Sequence, residues 1–228
     1  MEARALFDDL RKVDTPTICN ALEIVRRRRF TTGFTRQRLL AAFPALPPIV
    51  GYARTARLRC SVPFDSAARG QKLLDYYDYL QRRQPAIAVV EDIDSQPGLG
   101  AFWGEVNTTV HWGLGCHGAV TNGSMRDLDA MCPQFQCLAA TVSPSHVNAQ
   151  VVDFGTPVDV FGMAVSDGDL VHADRHGAVV FTREEAENLP AAIDLIVRRE
   201  RVILAAARKP GFSVAAMREA MAASERIR

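Results

Sequence analysis

Gly113-Leu114-Gly115-Cys116-His117-Gly118-Ala119-Val120-Thr121-Asn122-Gly123-Ser124-Met125-Arg126-Asp127 decides which α/β architecture the chain adopts. Its first six residues match G-x-G-x-x-G. A dinucleotide site needs a strand before that pattern and a helix after it, so that phosphate meets the helix N-terminus. The order here is reversed. Residues 104–112 read as a helix and residues 118–121 as a short buried strand. The glycines therefore read as a helix-to-strand turn. Beyond the strand, Gly123 is expected to make a tight turn, and residues 124–131 a short helix.

Upstream, Ala86-Ile87-Ala88-Val89-Val90 is a continuous apolar run of the kind a buried parallel strand carries. Residues 49–62 alternate and read as a strand, and residues 69–83 as a helix with Leu73, Leu74, Tyr77 and Leu80 on one face. Residues 2–12 read as a short amphipathic helix. Thr15 is the expected N-cap of a second, with Pro16 in its first turn. Arg26 to Arg29 make a basic run that suits a helix C-terminus. Downstream, residues 137–142 read as a strand and residues 151–181 as short β segments with turns. Thr182 caps a long helix with Glu184, Glu185 and Glu187 in its first turns, and another helix follows Pro210-Gly211. The pattern is that of a layered α/β protein, read as one domain over residues 1–228.

Composition excludes several classes. Hydrophobic residues are 48% and charged residues 23% of 228, with a formal charge of +1. A nucleic-acid or anionic-membrane binder would normally carry a basic excess. No stretch reaches the length of a transmembrane helix, and the charged N-terminus has no signal-peptide apolar core. The five cysteines include no C-x-x-C pair and are expected as free thiols in a reducing cytoplasm. Only Lys12, Lys72 and Lys209 are lysines, which leaves few candidates for Schiff-base chemistry.

Three constellations carry chemistry. Arg126-Asp127 falls near the C-terminal edge of the predicted strand, where open α/β sheets place ligands. An arginine there holds a carboxylate through two parallel hydrogen bonds, and an aspartate holds a hard divalent cation. The same pair also reads as a helix N-terminal charge pair. Gly104-Glu105-Val106-Asn107 opens another predicted helix, whose free N–H groups receive an anion. His172, Asp174 and His176 alternate and would share one strand face, either as metal ligands or as part of an exposed hairpin. Cys116-His117 would point to opposite faces, against a nucleophile–base pair.

The sequence resembles the 4-hydroxy-4-methyl-2-oxoglutarate aldolases, which share their fold with a regulator of ribonuclease E activity. The likeness runs over residues 14–185: Asp14-Thr15-Pro16-Thr17, Gly51-Tyr52-Ala53, Gly104 through Gly123-Ser124-Met125-Arg126-Asp127, and Gly168 through Gly177. Its specific part is an acid followed after twenty residues by Arg-Asp, here Glu105 to Arg126-Asp127.

The resemblance implies a layered β/β/α swivelling domain with C-terminal helices over residues 183–228, assembled as a homotrimer or hexamer. It implies a metal-dependent lyase acting on a small 2-oxo acid by retro-aldol cleavage or oxaloacetate decarboxylation. Gly104, Glu105, Val106 and Asn107 would contact substrate through backbone amides, and Arg126 would bind its carboxylate. Asp127 would hold Mg2+ or Mn2+ partly through waters, and water polarised near Glu105 would act as base. An acid from a neighbouring subunit would complete the site. Glu105 stands where the family commonly has Asp, and Asn122 where an Asp precedes the glycine. The alternative is a regulator that docks on a ribonuclease without catalysis. Apolar residues in the C-terminal helices, among them Ile193, Ile196, Val197 and Leu204, are expected to pack either on the protomer's own sheet or between copies.

Overall fold

The computed structural model describes residues 3–228. The chain opens with helices α1 (Ala3–Leu10) and α2 (Thr15–Arg26), then strands β1 (Leu40–Ala41) and β2 (Ile49–Arg59) and helix α3 (Ser66–Leu80). Strands β3 (Ala86–Asp92) and β4 (Ala101–Trp103), helix α4 (Glu105–Gly113) and strands β5 (Cys116–Met125) and β6 (Gln136–Val142) form the centre. Strands β7 (Gln150–Phe154), β8 (Val158–Val160), β9 (Met163–Val165), β10 (Leu170–Asp174) and β11 (Gly177–Phe181) follow, and helices α5 (Arg183–Ala207) and α6 (Val214–Glu225) close the chain. The expected start of the first helix at residue 2 lies outside the described residues.

The main sheet runs β1-β6-β5-β3-β2-β10-β11, with β4 paired to β5 and β7 to β2. Its centre, β2-β3-β5-β6, is parallel. Parallel neighbours need long crossovers, and α3 and α4 lie in two of them. Alternation along β2 separates two cores. Val50, Ala56 and Leu58 face the helices, while Ile49 and Ala53 face the hairpin β8–β9. On the helix side, α1, α2 and α5 cover β10 and β11, and Tyr76, Leu80, Trp103 and Phe135 fill the space over the parallel strands. On the other side, Val158, Val160, Met163 and Val165 bury against Ile87, Val89, Val120 and Leu138. The result is the layered β/β/α arrangement with C-terminal helices. Each large side chain so buried contributes about 1.5–3 kcal/mol.

Local expectations hold at the main punctuation points. Thr182 and Glu185 form a reciprocal capping box on α5. The glycine run is a helix-to-strand turn, with Gly115 at φ +80° between α4 and β5.

Three expectations are corrected. Asp14, not Thr15, caps α2: its Oδ1 accepts the Thr17 N–H at 3.0 Å, and the Thr15 hydroxyl turns instead to His172. In α3, Leu80 is buried and Leu73 and Tyr77 pack partly buried on the core as expected, but Leu74 is 59% exposed and Tyr76 and Tyr79 complete the inward face. The helix expected over residues 124–131 does not form, and Gly123 makes no tight turn. Strand β5 runs on to Met125 because Ser124 pairs with Thr141 of β6 and Ala101 of β4. A register shift after Thr121 accommodates Asn122, whose amide oxygen accepts from the Asp92 N–H at 2.7 Å while its nitrogen donates to the Asp92 carbonyl at 2.9 Å. Only one turn follows, closed by the Ala130 and Met131 N–H groups on the Asp127 carbonyl.

Candidate functional site

Strand β4 delivers the chain to Gly104, the N-cap of α4, at φ −155°. The end of β5 lies alongside, tied by the Arg126 N–H to the Trp103 carbonyl at 2.8 Å. A Cβ on Gly104 would collide with Asp127 Oδ2 and lie 3.2 Å from Arg126 Cγ and 3.3 Å from Arg126 Nε. The absence of a side chain at 104 is what lets both groups settle over the helix start.

Asp127 adopts φ +54°, a left-handed conformation that aspartate tolerates better than most residues. Its Oδ2 accepts the Glu105 N–H at 3.2 Å and lies 3.4 Å from Arg126 Nε. Both side chains remain about one-third exposed, at 34% and 36%. They border a hollow of about 130 Å³ that Gly104, Val106 and Asn107 also line, together with Arg69 and His146.

Gly104, Val106, Asn107, Arg126 and Asp127 thus come together. Glu105 is exposed at the first position of α4; its N–H is committed to Asp127, and its side chain is not part of the wall. The Asn107 side chain is committed to the fold, its nitrogen on the Phe102 carbonyl at 2.6 Å and its oxygen accepting from the Tyr77 hydroxyl at 2.8 Å. Only its backbone N–H, in the first turn of α4, is left for a ligand.

No motif in the sequence points to Arg69 or His146. Arg69 begins an ordinary helical pattern, and His146 sits in the Ser143-Pro144-Ser145 loop with no motif around it. Arg69 Nε donates to the Ala149 carbonyl at 3.1 Å, and His146 Nδ1 donates to the Val147 carbonyl at 2.8 Å.

The donor set fits a hard divalent cation. Asp127 offers one partly exposed carboxylate, with no hydrogen bond to Oδ1 among the described residues. Mg2+ commonly binds through one or two carboxylates while keeping several waters. The guanidinium and the helix N–H groups beside it suit an oxyanion.

Two other clusters are committed elsewhere. His172 is fully buried on β10. Its Nε2 donates towards the Leu10 and Val13 carbonyls, and its Nδ1 accepts from the Thr15 hydroxyl at 2.9 Å, so neither nitrogen is free for a metal. Burial pushes its pKa down to about 4. Asp174 Oδ2 accepts the Thr15 N–H, and Oδ1 binds His176 in the turn.

Cys60, Asp92 and Asp94 place one ligand atom each within 4.8 Å of the others. Both carboxylates already serve the fold. Asp94 accepts from the Cys60 and Ser61 N–H groups and the Ser61 hydroxyl, and Asp92 accepts from the Asp94 and Gly98 N–H groups. Burial pushes the Cys60 thiol up to about 12. The cluster ties the end of β2 to the end of β3. Cys116 is likewise buried, its thiol pushed up to about 12, while the His117 ring packs on Trp112.

The sequence profile of the RraA-like family, described as Aldolase/RraA, matches residues 15–180. The chain belongs to the RraA-like family. Three solved structures are similar to this RraA-like chain over most of its length. An uncharacterized protein from Pseudomonas syringae pv. tomato has TM-score 0.73 and 22% identity over 95% of this chain and 94% of its own. A structure described among novel cellulases from gut-associated microbes has 0.70 and 17% over 88% of each. The Streptomyces coelicolor protein RraAS2, an unusual member of the RNase ES inhibitor RraA family, has 0.64 and 22% over 86% and 94%. At these identities the likeness is one of fold. A search of curated proteins returns no match. The family description covers aldolases and regulators alike, so activity has to be argued from the site.

Proposed function

We propose that this RraA-like protein is a divalent-metal-dependent lyase that cleaves a 2-oxo acid to a pyruvate enolate. The substrate is either a 4-hydroxy-4-methyl-2-oxoglutarate-type aldol or an oxaloacetate-type acid. The observation that carries the proposal is the convergence at Gly104, where a guanidinium, a carboxylate and a helix start share one small hollow. A docking surface for a ribonuclease needs no such convergence.

Arg126 receives the substrate C1 carboxylate through paired N–H donors. The first-turn N–H groups of α4 at Val106 and Asn107 orient its oxygens. Asp127 would hold Mg2+ or Mn2+, which would supply Lewis-acid stabilisation of negative charge on the 2-oxo oxygen. In the aldol case a base, water polarised near Glu105, takes the C4 hydroxyl proton. The C3–C4 bond breaks, its electron pair passes into the C2–C3 enolate, and C4 leaves as a carbonyl. In the decarboxylation case the same electron pair is released as carbon dioxide departs.

Self-association belongs to the same proposal. Val197 and Leu204 on α5, and Val214 and Met221 on α6, are exposed at 41%, 46%, 72% and 46%, an apolar surface that a second copy would cover. Ile196, by contrast, is buried on the protomer's own core. Among the described residues no helix is long and apolar enough to cross a membrane.

The test is pyruvate release from a panel of 2-oxo acids with and without Mg2+ or Mn2+. Metal-dependent release from at least one acid is expected. A protein that releases pyruvate from none of them, and instead inhibits a ribonuclease, would establish the regulator.

A further inference from the structure

Another hollow, larger than the first, lies at the other end of β5. Arg126 and Asp127 follow its last residue, whereas His117 is its second, about 30 Å away at the usual rise of a strand. Here α1 crosses the N-terminal ends of β3 and β5 and leaves a cavity of about 480 Å³, within the range of small-molecule sites.

Its walls divide by chemistry. Phe7, Val50 and Pro85 give an apolar floor. Phe7 is held by burial and by its edge-on contact with Tyr52, at 5.4 Å between ring centroids. Arg4 enters from α1 and Arg11 from the turn that follows it, where its N–H still donates to the Phe7 carbonyl at 3.0 Å, and His117 enters from β5. The His117 ring is fixed against Trp112 at 5.4 Å. Asp8 is the one acid on the wall.

These cations are poorly compensated. Among the described residues Arg4 makes no ion pair, and the hydrogen bond of Arg11 is from Nε to the Pro48 carbonyl at 3.2 Å, which leaves its terminal nitrogens free. Burial first, then the charges of Arg11 and Arg4, hold the His117 pKa below the usual histidine range, while Asp8 pulls the other way. Both guanidinium groups therefore bear on the same ring. Gln84 donates to the Leu114 carbonyl at 2.9 Å and keeps its side-chain oxygen as an acceptor at the rim.

We propose that this cavity is a second ligand site, separate from the Arg126–Asp127 hollow, for a small organic anion that sets a carboxylate or phosphate between Arg4, Arg11 and His117 and an apolar body on Phe7, Val50 and Pro85. The oxyanion receives charge-assisted hydrogen bonds from two arginines. Protonated His117 adds a third donor, so binding is linked to proton uptake and strengthens as pH falls towards the lowered pKa of the free ring. Arg4, Arg11 and Asp8 are the other charged groups facing that ring. Occupation also clips α1, too short to hold itself helical, onto β5.

The experiment is calorimetric titration of the full-length protein with phenyl phosphate, benzoate, phenol and inorganic phosphate, with the His117 ring followed by NMR. At least one of the two aromatic anions binds, and phenol binds about tenfold or more weakly for want of the charge. Which anion is tighter identifies the oxyanion. The bound anion raises the His117 pKa. Arg4→Gln, at an exposed position on α1, weakens binding about tenfold, as loss of a charge-assisted contact does. Asp127→Ala leaves the binding in place. No binding of either anion, equal affinity for phenyl and inorganic phosphate, no effect of Arg4→Gln, or loss of binding in Asp127→Ala would each overturn the proposal.

Discussion

Replacing Gly104 by alanine probes the site where it is tightest. At φ −155° the backbone is extended, so alanine adds no torsional strain there. The perturbation is therefore the methyl group, which meets Asp127 Oδ2 and sits 3.2–3.3 Å from Arg126. Relief requires the carboxylate to move by roughly 1 Å, enough to break its 3.2 Å bond from the Glu105 N–H. Overpacking of this kind costs about 1–3 kcal/mol. The lost bond adds about 1 kcal/mol once its partial exposure is discounted. Alanine is also a poorer N-cap than glycine. A total near 2–4 kcal/mol lowers Tm by roughly 4–16 °C in a chain of this length. Activity falls further than stability, because a misplacement of about 1 Å in a catalytic group costs about 100-fold. Pyruvate-release kinetics and a thermal melt on the same preparation measure both. Gly113→Ala is the control, since a Cβ there meets nothing within 4 Å. Wild-type kcat/KM in Gly104→Ala would refute the geometry on which the site rests.

Arg126→Lys keeps the charge but loses the fork, so kcat/KM drops about ten- to a hundredfold, and parity with arginine would exclude bidentate carboxylate binding. His111 and His172 are both pushed by burial from 6.5 to about 4. The unfolded chain therefore binds more protons than the fold between those values, and stability falls as pH drops from 6.5 to 4, by up to about 3 kcal/mol for each. Denaturant midpoints across that range check the sign, and a flat profile would contradict it. Asp94→Ala strands the Cys60 and Ser61 donors and destabilises by about 2–3 kcal/mol while leaving Mn2+ binding unchanged; loss of Mn2+ binding would move the metal to the β2–β3 junction. Light scattering at assay concentration is expected to give a closed homo-oligomer, and a fully active monomer would eliminate a shared site.

Much of the fold was written in short-range pattern. The apolar run at Ala86–Val90, the reversed order around the glycines and the Thr182 capping box depend on neighbours in sequence, and all three stand in the structure. The failures are tertiary. Asn122-Gly123-Ser124 looks like a turn before a helix, but Asn122 finds its partners in Asp92, thirty residues away, and Ser124 in the flanking strands. An aspartate at 122 would lack the N–H that reaches the Asp92 carbonyl, which gives asparagine there a structural reason. The pairing of Gly104 with Arg126-Asp127 was legible as a spacing, though not as a steric fit. Arg69 and His146 come from separate loops and helices brought to one hollow only by folding.

In the proposed lyase Asp127, seated over Gly104, holds the cation on which 2-oxo acid cleavage depends. Pyruvate release from 4-hydroxy-4-methyl-2-oxoglutarate and oxaloacetate, by wild type and by Asp127→Ala, each with Mg2+ and with a chelator, tests it most directly. The expected result is release by the wild type with Mg2+ alone, abolished both by the chelator and by the substitution in a protein that still melts cooperatively. Undiminished release by folded Asp127→Ala, or release indifferent to the chelator, would contradict it.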